Sequence, residues 1–381
     1  MRDRQVYLDY SATTPVKKEV LNEMVPFFTE EFGNPSSLYQ LGQESKHAVT
    51  RARQHLASLI GARPDEIFFT SSGTEADNWA VIMEAMSKRK KGNHIITSKI
   101  EHHAVLHCAE YLEGEGFDVT YLNVDKNGFI DLNQLEASVT DKTTLISIMY
   151  ANNEIGTIQP VKEISEIAKK NKITFHTDAV QALGNIEINV KEPEIDMMSI
   201  SAHKIYGPKG IGALYIRKGI RLPSFIHGGS QENKKRAGTE NLTGIVGFGK
   251  AAQLAKENLD EHINRLTDLR NYFIDKVLDN IPGCYLNGDR EIRLPGNANI
   301  TFKGIKASNL LLKLDEKGIA VSTGSACSSA SITPSHVLEA IGVSITDIYG
   351  TVRFTIGDFT TEEDLDYTVN VLIQAVNELR C

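Results

Sequence analysis

Short apolar, β-branched runs alternate with segments of helical period along the middle of this 381-residue chain. The runs cover residues 67–70, 94–97, 119–122, 145–150, 173–178, 197–201 and 213–216. Between them, Val161, Ile164, Ile167 and Ala168 recur at helical spacing, as do Trp79, Ile82, Met83 and Met86. This order admits few folds. Strands joined through helices run parallel, and the helices must cover both faces of the sheet. The expected class is α/β, with a large domain built on a mostly parallel seven-stranded sheet. In such sheets ligands gather at the carboxyl ends of the strands.

After Gly249 the pattern changes. A long charged helix is expected over 250–278, then short strands at 298–302 and 352–355 and helices at 308–317 and 362–379. Leu365, Val369, Leu372, Ile373 and Val376 give the last helix one apolar face. This reads as a smaller α+β domain. The chain is long for one core, so the expected division is 15–255 for the large domain and 256–381, with 1–14, for the small one.

Charge narrows the function classes. The net charge of −8 argues against a dedicated nucleic-acid or membrane-surface binder. Lys234-Lys235-Arg236 reads either as a local basic patch or as a solvated loop. No basic-then-apolar leader and no bilayer-length apolar run is present, which points to the cytoplasm and to no membrane partner. The four cysteines, Cys108, Cys284, Cys327 and Cys381, form no Cys-x-x-Cys pair, so neither a zinc site nor a disulfide framework is expected.

Two residues at strand ends carry the chemistry. Lys204 closes Ser199-Ile200-Ser201-Ala202-His203-Lys204 and precedes a Gly/Pro turn; Asp178 ends the run 173–178. Alone, such a lysine suits a solvated turn. With an aspartate at a neighbouring strand end, it suits pyridoxal phosphate (PLP): the lysine forms a Schiff base and the carboxylate keeps the pyridine nitrogen protonated.

Other segments add to this. Phe69-Thr70-Ser71-Ser72-Gly73-Thr74-Glu75 is a strand end, a small-residue turn and a helix start. Its free N–H groups suit a phosphate, though the residues also suit a plain helix cap. Glu101-His102-His103 offers an imidazole that can stack on a flat ring, and either histidine fits. Asn152 and Asn153 follow a strand and suit either ligand binding or turn chemistry. Arg353 is a charge inside the apolar strand 352–355 and needs an anion, whether a substrate carboxylate or a structural partner. Residues 322–331 are small and polar, and their composition predicts a mobile loop that presents Cys327 as a reactive thiol; an inert exposed thiol is the alternative.

In this order, the motifs resemble the cysteine desulfurases of the NifS/IscS type, within the class V aminotransferase-like PLP enzymes of fold type I (aspartate-aminotransferase-like). The resemblance covers nearly the whole chain. It starts at Tyr7-Leu8-Asp9-Tyr10-Ser11-Ala12-Thr13-Thr14-Pro15 and Gly33-Asn34-Pro35-Ser36. It continues through the Ser-Gly-Thr-Glu turn, Glu101-His102, Asn152-Asn153-Glu154, His176-Thr177-Asp178, His203-Lys204 and Arg236-Ala237-Gly238-Thr239, to Gly324-Ser325-Ala326-Cys327 and Arg353.

The resemblance implies roles. Lys204 would carry PLP, Asp178 would bind the pyridine nitrogen and Gln181 the ring hydroxyl. His102, which directly follows the motif glutamate, would stack on the ring. Gly73, Thr74, Ser201 and His203 would hold the phosphate, with Thr239 reaching it from the second subunit of a homodimer. Asn34, Asn153 and Arg353 would bind the substrate carboxylate or its surroundings, and Cys327 would take sulfur from L-cysteine. No metal is implied.

Thr323, Ser230 and Ser11 depart from the usual pattern without touching Lys204, Asp178 or Cys327. The sequence stops at Cys381, where relatives that serve an iron–sulfur scaffold often extend. A tRNA-thiolation enzyme or another acceptor protein therefore fits equally well. Another PLP lyase or transaminase with an incidental Cys327, and a non-catalytic docking relative, remain as alternatives.

Overall fold

The computed structural model describes residues 5–323 and 334–381. A two-residue strand, β1 (Val6–Tyr7), opens it. The central sheet follows: β2 (Ile67–Thr70), β3 (His94–Ser98), β4 (Asp118–Leu122), β5 (Thr143–Ser147), β6 (Thr174–Asp178), β7 (Met197–Ser201) and β8 (Gly212–Ile216). Its strand order is β2-β8-β7-β6-β5-β3-β4. β8 runs antiparallel to both its neighbours, and the pairings from β7 through to β4 are parallel.

The alternation along these strands explains the layering. Adjacent residues point to opposite faces, so Ile95, Leu145 and Met197 join one apolar cluster with Trp79 and Leu112. Ile96, Ile146 and Met198 join another with Leu56, Ile164 and Phe248. Both faces are thus covered, and β3, β5, β6, β7 and β8 are buried throughout. The edge strand β4 buries only Leu122.

A separate cluster gathers Val6, Leu8, Phe273, Ile300, Phe354 and Leu372. It packs on a three-stranded antiparallel sheet of β9 (Cys284–Leu286), β10 (Asn297–Phe302) and β12 (Thr351–Thr355), ordered β12-β10-β9. β1 pairs in parallel with β11 (Ile319–Ala320).

One expectation needs correction. The single helix over 250–278 is two helices, Leu242–Glu257 and Leu259–Asn280. They break at Asn258, whose φ of −115° and ψ of 12° leave the helical region. The first begins earlier than expected because its glycines serve packing rather than a turn. A Cβ at Gly249 would overlap Ala52 of the helix Gln40–Leu59, so the two backbones meet there closely.

The segment after β8 is held by a buried ion pair. Glu232, Asn233 and Lys234 all have left-handed backbones, with φ of 46°, 55° and 65°, a conformation that disfavours ordinary side chains by about 1–2 kcal/mol each. Both Arg53 guanidinium nitrogens donate to the Glu232 carboxylate, at 2.7 and 2.8 Å, and the Phe69 amide adds a third bond at 3.0 Å. Glu232→Gln is expected to destabilise the protein by about 2 kcal/mol, since it leaves the Arg53 charge without its counter-ion. Urea unfolding checks this; an unchanged midpoint would show that the turn holds without the pair.

Candidate active site

The strand ends build the site. β2 runs into Ser71 and Ser72, and the Ser72 hydroxyl caps the helix Gly73–Lys88 by accepting the Glu75 amide at 3.1 Å. β3 leads to Glu101 and His102, β5 leads towards Asn153, and β6 ends on Asp178. β7 runs into one tight helical turn, Ala202–Lys204. A cavity of about 310 Å³ lies where these ends converge. Its lining includes Gly73, Thr74, His102, Asn153, Asp178 and Gln181. Ser201, His203, Lys204 and Arg353 complete the set of expected residues found there.

Neighbours fix the key groups. The Lys204 ammonium donates to the carbonyls of Ser11 and Ala12 at 2.5 and 2.9 Å. Asp178 accepts the Val180 amide at 2.9 Å. The Gln181 amide donates to the Ser11 carbonyl at 3.0 Å. Arg353 donates to Asp9 at 2.9 Å and to the Asn153 carbonyl at 2.9 Å, so its anion is in part a structural one.

Burial sets the electrostatics. It pushes the Asp178 carboxyl up to about 6, while the Val180 amide and the Lys204 charge pull it back. Burial, then the Lys204 charge, lowers His102 to about 4, so its ring is neutral near pH 7. Glu101 is pushed up to about 8 by burial. Asp77 rises well above the carboxylate range through burial and the charge of Asp178. Both acids line the cavity, and Asp77 Oδ1 and Glu101 Oε2 have no hydrogen-bond partner among the described residues.

The arrangement suits PLP. A helix N-terminus with a glycine offers amide donors for a phosphate, and a Cβ at Gly73 would stand 2.6 Å from Val180, so that approach depends on the missing side chain. An amine and a carboxylate line the same cavity. A second cavity, about 380 Å³, borders Lys204 with Lys17, Tyr206, His262, Arg265 and Asp358. It lacks the strand-end donors and does not suit the phosphate.

Not every expected residue is brought in. Asn34 is exposed and its side chain accepts the Ser36 amide at 2.9 Å; Thr239 is exposed, and neither lines the cavity. Cys327 lies outside the described residues. Lys234-Lys235-Arg236 is no open basic patch: Arg236 pairs with Glu75 at 2.9 Å and Lys235 is half-buried over the Phe68 ring. Sequence reasoning passed over Asp77, Glu154 and His336 as cavity residues. The buried helix position of Asp77 among Ala76, Trp79 and Ala80 was the one available signal for it.

The comparisons agree with this geometry. The family model "Aminotransferase class-V" matches residues 6–368. The chain is 56% identical over 377 residues to "Cysteine desulfurase IscS" of Dictyoglomus turgidum, covering 99% of this chain and 96% of that one. Among solved structures, a NifS-like protein superposes with a TM-score of 0.93 at 40% identity, covering 99% of this chain and all of that one. A structure titled "SspA in complex with cysteine" superposes with a TM-score of 0.83 at 37% identity, covering 94% of this chain and 100% of that one. With a strand-end lysine and aspartate in one cavity, and more than half its residues shared with such a relative along its length, this chain belongs to the class-V aminotransferase family, on its cysteine desulfurase branch.

Proposed function

We propose that this cysteine desulfurase holds PLP on Lys204 and splits the carbon–sulfur bond of L-cysteine, giving L-alanine and a persulfide on Cys327. The observation that carries the reading is that Lys204 and Asp178 line one cavity with the helix start at Gly73. Bound PLP supplies an electron sink that makes the substrate α-proton removable.

The protein's residues do the rest. Gly73, Thr74, Ser201 and His203 would hold the phosphate, Gln181 the ring hydroxyl and Asp178 the ring nitrogen. His102 would cover the ring face. Arg353, braced by Asp9, and Asn153 would orient the substrate carboxylate. Lys204, once its amine is displaced, would take the α-proton. The Cys327 thiolate would then attack the substrate sulfur: the S–S bond forms, the carbon–sulfur bond breaks, and the electron pair stays with the carbon fragment, which is protonated to alanine.

The exposed position of Thr239 fits the proposal that it serves the cavity of a second copy in a homodimer. The separate apolar clusters support the proposed division at about residue 255. The persulfide would pass to an acceptor protein, for iron–sulfur cluster assembly, as the IscS name of the relatives suggests, or for tRNA thiolation. No helix among the described residues is long and apolar enough to cross a membrane, and we place the work in the cytoplasm.

The test is to give L-cysteine to the purified, PLP-loaded protein and to measure alanine together with sulfur mapped by peptide mass spectrometry. Alanine with the added sulfur on Cys327 is expected. Turnover with no sulfur there would point to another reaction on this scaffold.

A further inference from the structure

Three histidine rings lie in succession from the cofactor cavity to the surface. His336 lines the cavity. Its ring centroid is 4.9 Å from that of His103, which in turn stacks on His107 at 5.2 Å and 26°. His103 lines the cavity and also an outer cavity that it shares with His107 and the exposed Tyr111. His336 and His103 are half-buried, and His107 is exposed.

Hydrogen bonds fix which nitrogens are open. His336 Nε2 sits 3.0 Å from the Glu101 carbonyl oxygen. A carbonyl only accepts, so Nε2 carries the hydrogen and Nδ1 keeps its lone pair. No described residue uses that Nδ1 as a hydrogen-bond partner. His102 is the reverse case. Its Nδ1 already accepts the Ala104 amide at 3.1 Å, so in the neutral ring the hydrogen is on Nε2 and no lone pair remains for a proton. The Lys204 ammonium is bonded to two carbonyls.

The proposed reaction needs such a lone pair. L-Cysteine arrives as an ammonium and must shed a proton before its nitrogen can bond to carbon; alanine leaves as an ammonium and must regain one. We propose that His336, His103 and His107 form an imidazole relay that takes the substrate's ammonium proton at His336 Nδ1 and exchanges it with solvent at His107. One proton leaves and one returns per turnover, and no electrons move. Each hop is between neighbouring rings, directly or over one water. Burial and the neighbouring His336 and His107 rings hold the His103 imidazole below its usual range, and Glu110 offsets this in part. This inference rests on the desulfurase reading above.

The test follows the visible band of the PLP-loaded protein on stopped-flow mixing with L-cysteine. His336→Ala is expected to slow the spectral change at least ~10-fold, within the range of acid–base contributions, and added imidazole to restore it. His336→Gln keeps an N–H for the Glu101 carbonyl but has no basic nitrogen, and it should be equally slow with an unchanged resting band. A wild-type rate in His336→Gln would mean the ring serves only to anchor that carbonyl and would overturn the relay. So would a slow His336→Ala that ignores imidazole. Without PLP, 15N NMR should find the neutral His336 protonated on Nε2; protonation on Nδ1 would refute the assignment. A wild-type protein silent towards L-cysteine would sink the desulfurase reading itself, whereas a responsive wild type with unaffected variants sinks the relay alone.

Discussion

Lys204→Ala is expected to abolish the visible band of PLP-loaded protein and to lower alanine formation by about 10⁴-fold or more. The size follows from two roles on one side chain. Covalent attachment orients the cofactor, and the released amine then moves the α-proton; a positioned base alone contributes about 10²–10⁴-fold. Among the described residues no other lysine lines this cavity. The fold should survive, because the side chain is half-buried and water can satisfy the Ser11 and Ala12 carbonyls that accept from its ammonium. Circular dichroism establishes that, and the absorption spectrum decides the role. A normal visible band in a folded Lys204→Ala protein would rule Lys204 out as the attachment point.

The strand-end logic behind that residue was legible in the residue order because parallel sheets are strict. Strands buried on both faces read as short β-branched runs, and all seven strands were recognisable, the half-open edge strand β4 included. Asp178 stood out as a charge that ends such a run, and Lys204 as a charge one short turn past another. What escaped is what depends on contacts far apart in the chain. Gly247 and Gly249 look like loop residues, yet they let their helix pack closely against Met24 and Ala52 of two other helices. Arg353 announced its need for an anion, but Asp9 is 344 positions away and no local pattern names it. Asp77 and Glu154 are acids within helical or turn segments, where an exposed carboxylate is the ordinary expectation; only the folded chain turns them inward. His336 is likewise defined by a bond to a carbonyl 235 positions away. Asn34 and Thr239 show the opposite limit: their assigned roles came from family resemblance, and a single chain does not bring them to the cavity.

Cys327→Ser should separate cofactor chemistry from sulfur transfer. The flanks of its segment are tied to the cavity on both sides. Ser322 pairs with Arg353 through two backbone hydrogen bonds, at 3.3 and 2.6 Å. The Ser335 hydroxyl donates to Glu154 at 2.6 Å, and His336 donates to the Glu101 carbonyl. Arg353, Glu154 and Glu101 all line the cavity. Cys327 is five positions from Ser322 in the sequence, a reach of at most about 18 Å of extended chain. A serine hydroxyl there keeps the size of the side chain but is a far weaker nucleophile towards sulfur. Cys327→Ser should therefore keep the visible band and its change on adding L-cysteine, while alanine formation falls by about 10²-fold or more and no sulfur is retained on the segment. No other described cysteine is placed to substitute. Cys108 is buried, its thiol pushed up to about 12 by burial and the charge of Asp77. Cys284 is half-buried and bonded to the Ile281 carbonyl, and Cys381 follows the final helix at the far end of the chain. Cys381→Ser, with full turnover, is the matched control. Alanine measured by mass spectrometry at the wild-type rate in Cys327→Ser would remove the sulfur-acceptor role and leave the cavity as the site of a different PLP reaction.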